Sequence, residues 1–83
     1  MTRSEISDVI VAFFKEKENF KQIGLDDDYF DLGVSSLTIV GMQIKVEERL
    51  GVNIGTRDLM GLSTIKQWVD AYVAQFEAVA LHA

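Results

Sequence analysis

Ser36-Leu37-Thr38-Ile39-Val40-Gly41-Met42-Gln43-Ile44-Lys45-Val46-Glu47-Glu48-Arg49-Leu50 carries apolar residues in two sets. At roughly 100° per residue, Ile39, Met42, Val46 and Leu50 share one side of a helix. Leu37, Val40 and Ile44, with small Gly41 beside them, fall on the roughly opposite side. Gly51 follows directly, so the pattern predicts a helix from about Ser36 to Leu50 that stops at that glycine. One apolar stripe suffices for the core of a small bundle. The other is either covered by a different part of the chain or meets a partner.

Upstream, Thr2-Arg3-Ser4-Glu5 matches a capping box, and Ile6, Val9, Ile10 and Phe13 follow at helical spacing. This first helix is expected to fade around Lys17–Asn19. A long connection comes next, with Gly24, the acidic run Asp26-Asp27-Asp28 and apolar pins at Ile23, Leu25, Tyr29, Phe30 and Leu32. Its length and its pins predict that it packs across the bundle, and it is the candidate cover for the second stripe. Downstream, Val52-Asn53-Ile54-Gly55 reads as a short extended link and Thr56–Met60 as a brief helical turn ended by Gly61. Ser63 is the expected cap of a last helix, in which Ile65, Trp68, Val69, Tyr72, Val73 and Phe76 form an amphipathic stripe. The expected fold is all-α: a small antiparallel bundle of three to four helices with a long first loop. It should occupy residues 1–83 as a single domain, helical over about 3–78, with a frayed tail.

The 83 residues hold no cysteine and no proline, and the formal net charge is −5. A domain this small is marginal without staples, and a bundle with mostly local contacts is an economical solution. Acidity argues against nucleic-acid binding, which needs cationic neutralisation of phosphates. The longest apolar run, Val9 to Phe14, is too short to span a bilayer, and the polar residues after Arg3 leave no signal-peptide pattern. A cytoplasmic monomer is the expectation.

Specificity of pattern rises at Phe30-Asp31-Leu32-Gly33-Val34-Ser35-Ser36-Leu37. This stretch resembles the phosphopantetheine attachment motif of acyl and peptidyl carrier proteins, in which a serine precedes leucine shortly after an acidic–Leu–Gly turn. The resemblance continues through Ile39, Val40, Met42, Glu47, Glu48, Leu50, Val52 and Ile54, and resumes at Ser63-Thr64-Ile65, so it spans nearly the whole chain. It implies a bundle of acyl-carrier type and a 4'-phosphopantetheine arm, donated by coenzyme A, on Ser36. A helix N-terminus suits the new phosphate, since free backbone N–H groups and the positive end of the helix dipole meet it there. Serine is also a common N-cap; Ser35 can take that task and leave Ser36 free.

Where the family commonly has aspartate before the modified serine, this chain has Ser35. Lys45 and Arg49 also offset Glu47 and Glu48, making the helix less acidic than in fatty-acid carriers. The resemblance therefore leans towards polyketide or nonribosomal peptide assembly, an extender-unit carrier being one form of it. It implies a freestanding carrier that works with a phosphopantetheinyl transferase, an acyl- or aminoacyl-loading enzyme, and a downstream synthase, dehydrogenase or acyltransferase. Ser35, Leu37, Val40, Gly41, Ile44, Glu47 and Glu48 are the candidate docking residues. The alternative is a carrier-like interaction module that is never modified and docks through Leu37, Val40 and Ile44.

Other patterns fail. Asp26-x-Asp28 begins like a calcium loop, but Asp31 stands where glycine is required and Leu37 where the closing glutamate belongs. Gly33 to Leu37 lacks the second glycine of a nucleophile elbow, and Ser63-Thr64-Ile65-Lys66 has no companion motif. His82 is the sole histidine, beside the C-terminus. With no acid–base or nucleophile–base set, and no metal-binding pattern, the expectation is a non-enzyme.

Overall fold

A computed structural model describes residues 1–81; His82 and its expected frayed tail lie outside the described residues. The fold is an all-α bundle of α1 (Arg3–Lys15), α2 (Ser36–Leu50), α3 (Thr56–Met60) and α4 (Ile65–Leu81), with a 3-10 turn at Glu18–Phe20. Helix α1 packs against both α2 and α4, while α3 lies against α2.

Helix α1 begins at the expected capping box: Glu5 N–H donates to Thr2 Oγ1 at 3.2 Å, and Thr2 N–H to Glu5 Oε1 at 2.9 Å. It ends at Lys15, slightly earlier than expected, because the 3-10 turn takes over and buries Phe20. Its buried line is Ile6, Ile10 and Phe14; Phe13, expected in the core, is only half-buried. Each member of the line lies four residues after the last, which keeps all three in the cleft between α2 and α4.

In α2 the expected core stripe is buried in full, and Gly51 ends the helix at φ 72°, a left-handed conformation that favours glycine. In α4 the cap is Thr64 rather than Ser63. Gln67 N–H donates to Thr64 Oγ1 at 3.1 Å, while Gln67 Oε1 accepts from the N–H groups of Thr64 (3.2 Å) and Ser63 (2.7 Å). A Thr-x-x-Gln capping box thus fixes the start one residue later.

The core centres on Trp68 of α4. Phe14 meets it edge-on with ring centroids 5.0 Å apart, and Tyr29 and Tyr72 flank it at 6.4 and 5.9 Å. The long connection crosses the bundle as expected, but through only two of its five pins. Ile23 and Tyr29 are buried, whereas Leu25, Phe30 and Leu32 remain partly exposed. Backbone bonds tie it to the far side: Lys66 N–H donates to Leu25 O and Tyr29 N–H to Ser63 O, both at 3.0 Å.

Candidate functional site at the head of α2

Tyr29 is the peg on which the site hangs. Its hydroxyl donates to Leu62 O at 2.8 Å and accepts from Trp68 Nε1 at 2.8 Å, so a buried aromatic ring anchors the loop with its polar tip satisfied. Burial pushes its phenol pKa up. From Tyr29 the chain makes a tight turn. Asp28 Oδ1 accepts from Phe30 N–H at 2.8 Å and Asp31 N–H at 3.3 Å, and Gly33 N–H donates to Phe30 O at 3.1 Å. Gly33 adopts φ 90°, a backbone state that side-chain-bearing residues rarely take, and this reverses the chain into Ser35. The acidic run is therefore turn chemistry: Asp27 Oδ2 accepts from Gly24 N–H at 2.7 Å, and Asp28 shapes the approach to α2. No metal-holding group of His, Cys, Asp or Glu exists among the described residues.

Ser35 is the N-cap, in extended backbone, and its Oγ accepts from Thr38 N–H at 3.2 Å. A serine hydroxyl thus fills the capping role that an aspartate carboxylate also can. Ser36, the first residue of α2, is exposed, and its hydroxyl makes no hydrogen bond among the described residues. An accessible hydroxyl beside the unpaired N–H groups of a first helical turn is the donor set that an alkyl phosphate requires, so these residues fit a phosphodiester-linked arm.

The second stripe is open. Leu37 is 82% exposed and Ile44 55%, and Gly41 and Glu48 are also exposed. Val40 is half-buried at the edge of this face. The long connection therefore leaves the stripe uncovered. Glu47, expected among the docking residues, is drawn inward instead: its Oε2 accepts from Gln43 Nε2, Ile54 N–H and Tyr72 Oη. That network escaped the sequence reading, since Gln43 and Glu47 stand among exposed polar residues and only their partners reveal them. A separate hollow of about 200 Å³, lined by Phe20, Val34 and Thr38 among others, opens on the α1 side of α2.

A bundle that presents an unengaged serine at a helix head, behind a rigid turn and beside an apolar face, is that of a carrier domain. Residues 8–72 match the family described as phosphopantetheine attachment site. The chain belongs to that family, whose members carry 4'-phosphopantetheine covalently. It is 28% identical over 68 residues to bacitracin synthase 3 of Bacillus licheniformis, covering 82% of this chain and 1% of that protein. It is 30% identical over 63 residues to a dimodular nonribosomal peptide synthase of Bacillus subtilis (strain 168), covering 76% and 3%. Surfactin synthase subunit 3 of the same strain gives 32% over 63 residues, covering 76% and 5%. The chain therefore spans only a few per cent of the length of these relatives. No helix among the described residues is long and apolar enough to cross a membrane.

Proposed function

We propose that this carrier domain receives its arm on Ser36 and presents an acyl or aminoacyl group to the enzymes of nonribosomal peptide or polyketide assembly. The observation that supports it most is the division of labour at the head of α2: Ser35 caps the helix, which leaves the exposed Ser36 hydroxyl unengaged. In this reading a phosphopantetheinyl transferase brings coenzyme A, the Ser36 oxygen forms the new bond to phosphorus, the nucleotide leaves, and the hydroxyl proton is taken up by the transferase or water. The first turn of α2 then holds the phosphodiester through its free N–H groups. Once attached, the arm supplies a thiol that carries cargo as a thioester. Nothing in the chain need act as acid, base or nucleophile towards that cargo, so the domain is a handle and not an enzyme.

Leu37, Gly41 and Ile44, with Val40 at the edge and Ser35 and Glu48 at the ends, form the surface that loading and downstream enzymes would grip. An apolar anchor near the centre of a small interface contributes most of its affinity. The similarity to nonribosomal peptide synthases supports the assembly-line setting over general fatty-acid synthesis. Action as a freestanding polypeptide in the cytoplasm is part of the same proposal; the mass of the protein isolated from its source decides the first part, and cell fractionation the second.

The test is mass spectrometry after incubation with coenzyme A and a broad-specificity transferase. The wild type should gain one phosphopantetheine, and Ser36→Ala should gain none. Modification of Ser36→Ala but not of Ser35→Ala would move the site by one residue. A wild type that never accepts the arm would leave an unmodified interaction module docking through Leu37, Val40 and Ile44.

A further inference from the structure

Ser36, Val40, Gln43 and Glu47 follow one another at i, i+4, i+7 and i+11, a single line along one flank of α2. The far half of that line grips the segment leading into α3. Gln43 Nε2 donates to Ile54 O at 2.8 Å, and Ile54 N–H donates to Glu47 Oε2 at 2.9 Å, so two side chains one turn apart hold both polar groups of one peptide residue. Thr56 Oγ1 donates to Gln43 Oε1 at 3.1 Å, and Tyr72 Oη of α4 donates to Glu47 Oε2 at 3.0 Å from behind. Gln43 is only 6% exposed, the one polar residue in the buried set among the described residues. Burial, with the Glu47 charge beside it, pushes the Tyr72 phenol up, so Tyr72 stays a hydrogen-bond donor.

Helix α3 needs such a grip. Five residues are too few to hold a helix by themselves, and its N-cap, Gly55, offers no side chain to bond the first turn. Val52 and Leu59 bury apolar side chains on either side of the link, but apolar contact is non-directional and sets no register. The bonds to Ile54 and Thr56 do set it. Because the same flank of α2 carries Ser36 and Val40 at its other end, a partner approaching the serine along that line meets α3 where the clamp has put it.

We infer that Gln43, Glu47 and Tyr72 form a polar clamp that positions α3 beside the Ser36 flank, and that enzymes acting on the arm depend on it although they touch none of the three. This rests on the carrier reading above. The three are positioning residues, and their removal should change how well a partner engages rather than how fast the bound complex reacts.

Gln43→Leu removes the hold on Ile54 O and Thr56, and Tyr72→Phe removes one donor with little change of shape. In Gln43→Leu, amide exchange at Ile54 and Leu59 should quicken by about tenfold, the scale of a lost bond at a buried polar site, while Ile10 and Trp68 exchange as in the wild type. In transfer of the arm from coenzyme A, KM for the carrier should rise several-fold with kcat unchanged, because Ser36 is untouched. Tyr72→Phe should show the same pattern more weakly, and it stands in if Gln43→Leu does not fold. Unchanged exchange at Leu59, or faster exchange with unchanged KM, overturns the inference and leaves the carrier reading intact. A wild type that takes no arm overturns both.

Discussion

The head of α2 is capped by Ser35, whose Oγ accepts from Thr38 N–H, with no part taken by the Ser36 hydroxyl. Ser35→Ala should therefore cost about 1 kcal/mol of stability, as lost N-caps do, yet still be modified at Ser36. Denaturant unfolding and intact mass on one sample read both effects. A stability unchanged within error would mean that another group caps α2. Glu5 offers a second test at this scale. The N–H of Thr2 and its hydroxyl hold the Glu5 carboxyl below its ordinary value of 4.5. Its contribution to α1 is fully present above that ordinary value and is lost as pH falls through the lowered one. Glu5→Gln should accordingly flatten the acid limb of the wild-type stability profile below about pH 4.5, where the two proteins converge. An acid limb of the same shape in both would show that the capping carboxylate plays no part.

Helix α2 sorts its apolar residues by side, and substitutions should sort the same way. Ile39→Ala or Met42→Ala empties part of the buried stripe and should cost about 2–5 kcal/mol. Ile44→Asp lies on the open face, where changes usually stay within about half a kcal/mol, and should leave helical content and Tm near those of the wild type. It should still slow loading of the arm. Circular dichroism with a loading assay separates the outcomes: unfolding would make Ile44 core, and normal loading would remove this face from docking. Both faces of α2 were legible in the sequence because a fifteen-residue helix repeats its period four times and Gly51 marks its end. In α1, Ile6 and Ile10 are compatible with either Phe13 or Phe14 as the next buried residue, and only the cleft between α2 and α4 selects Phe14. The connection has no period at all, so nothing local separates Tyr29, which goes in, from Phe30, which stays near the surface. The family was legible because Phe30 to Leu37 form a contiguous motif. The Gln43–Glu47–Tyr72 clamp joins residues up to 29 positions apart through polar atoms, a pattern that hydrophobic spacing cannot express.

The whole molecule has one core, shared by all four helices and the connection, with Trp68 at its centre and fully buried. Unfolding should consequently be a single cooperative transition, with tryptophan emission and far-UV circular dichroism giving the same midpoint. Separate midpoints would show that α3 or the connection melts on its own. Trp68 is also the only tryptophan in the chain. The protein thus contains a built-in optical probe whose location is known. Its indole lies within the core, against Phe14 and bonded to Tyr29, whereas Leu37 and Ile44 face outward from the opposite side of α2. Intrinsic emission will follow folding without any attached dye, and it will stay dark to events on the outer face. An enzyme that carries no tryptophan of its own could then be titrated against the carrier with its docking followed by another method, while the emission spectrum certifies throughout that the bundle beneath remains closed.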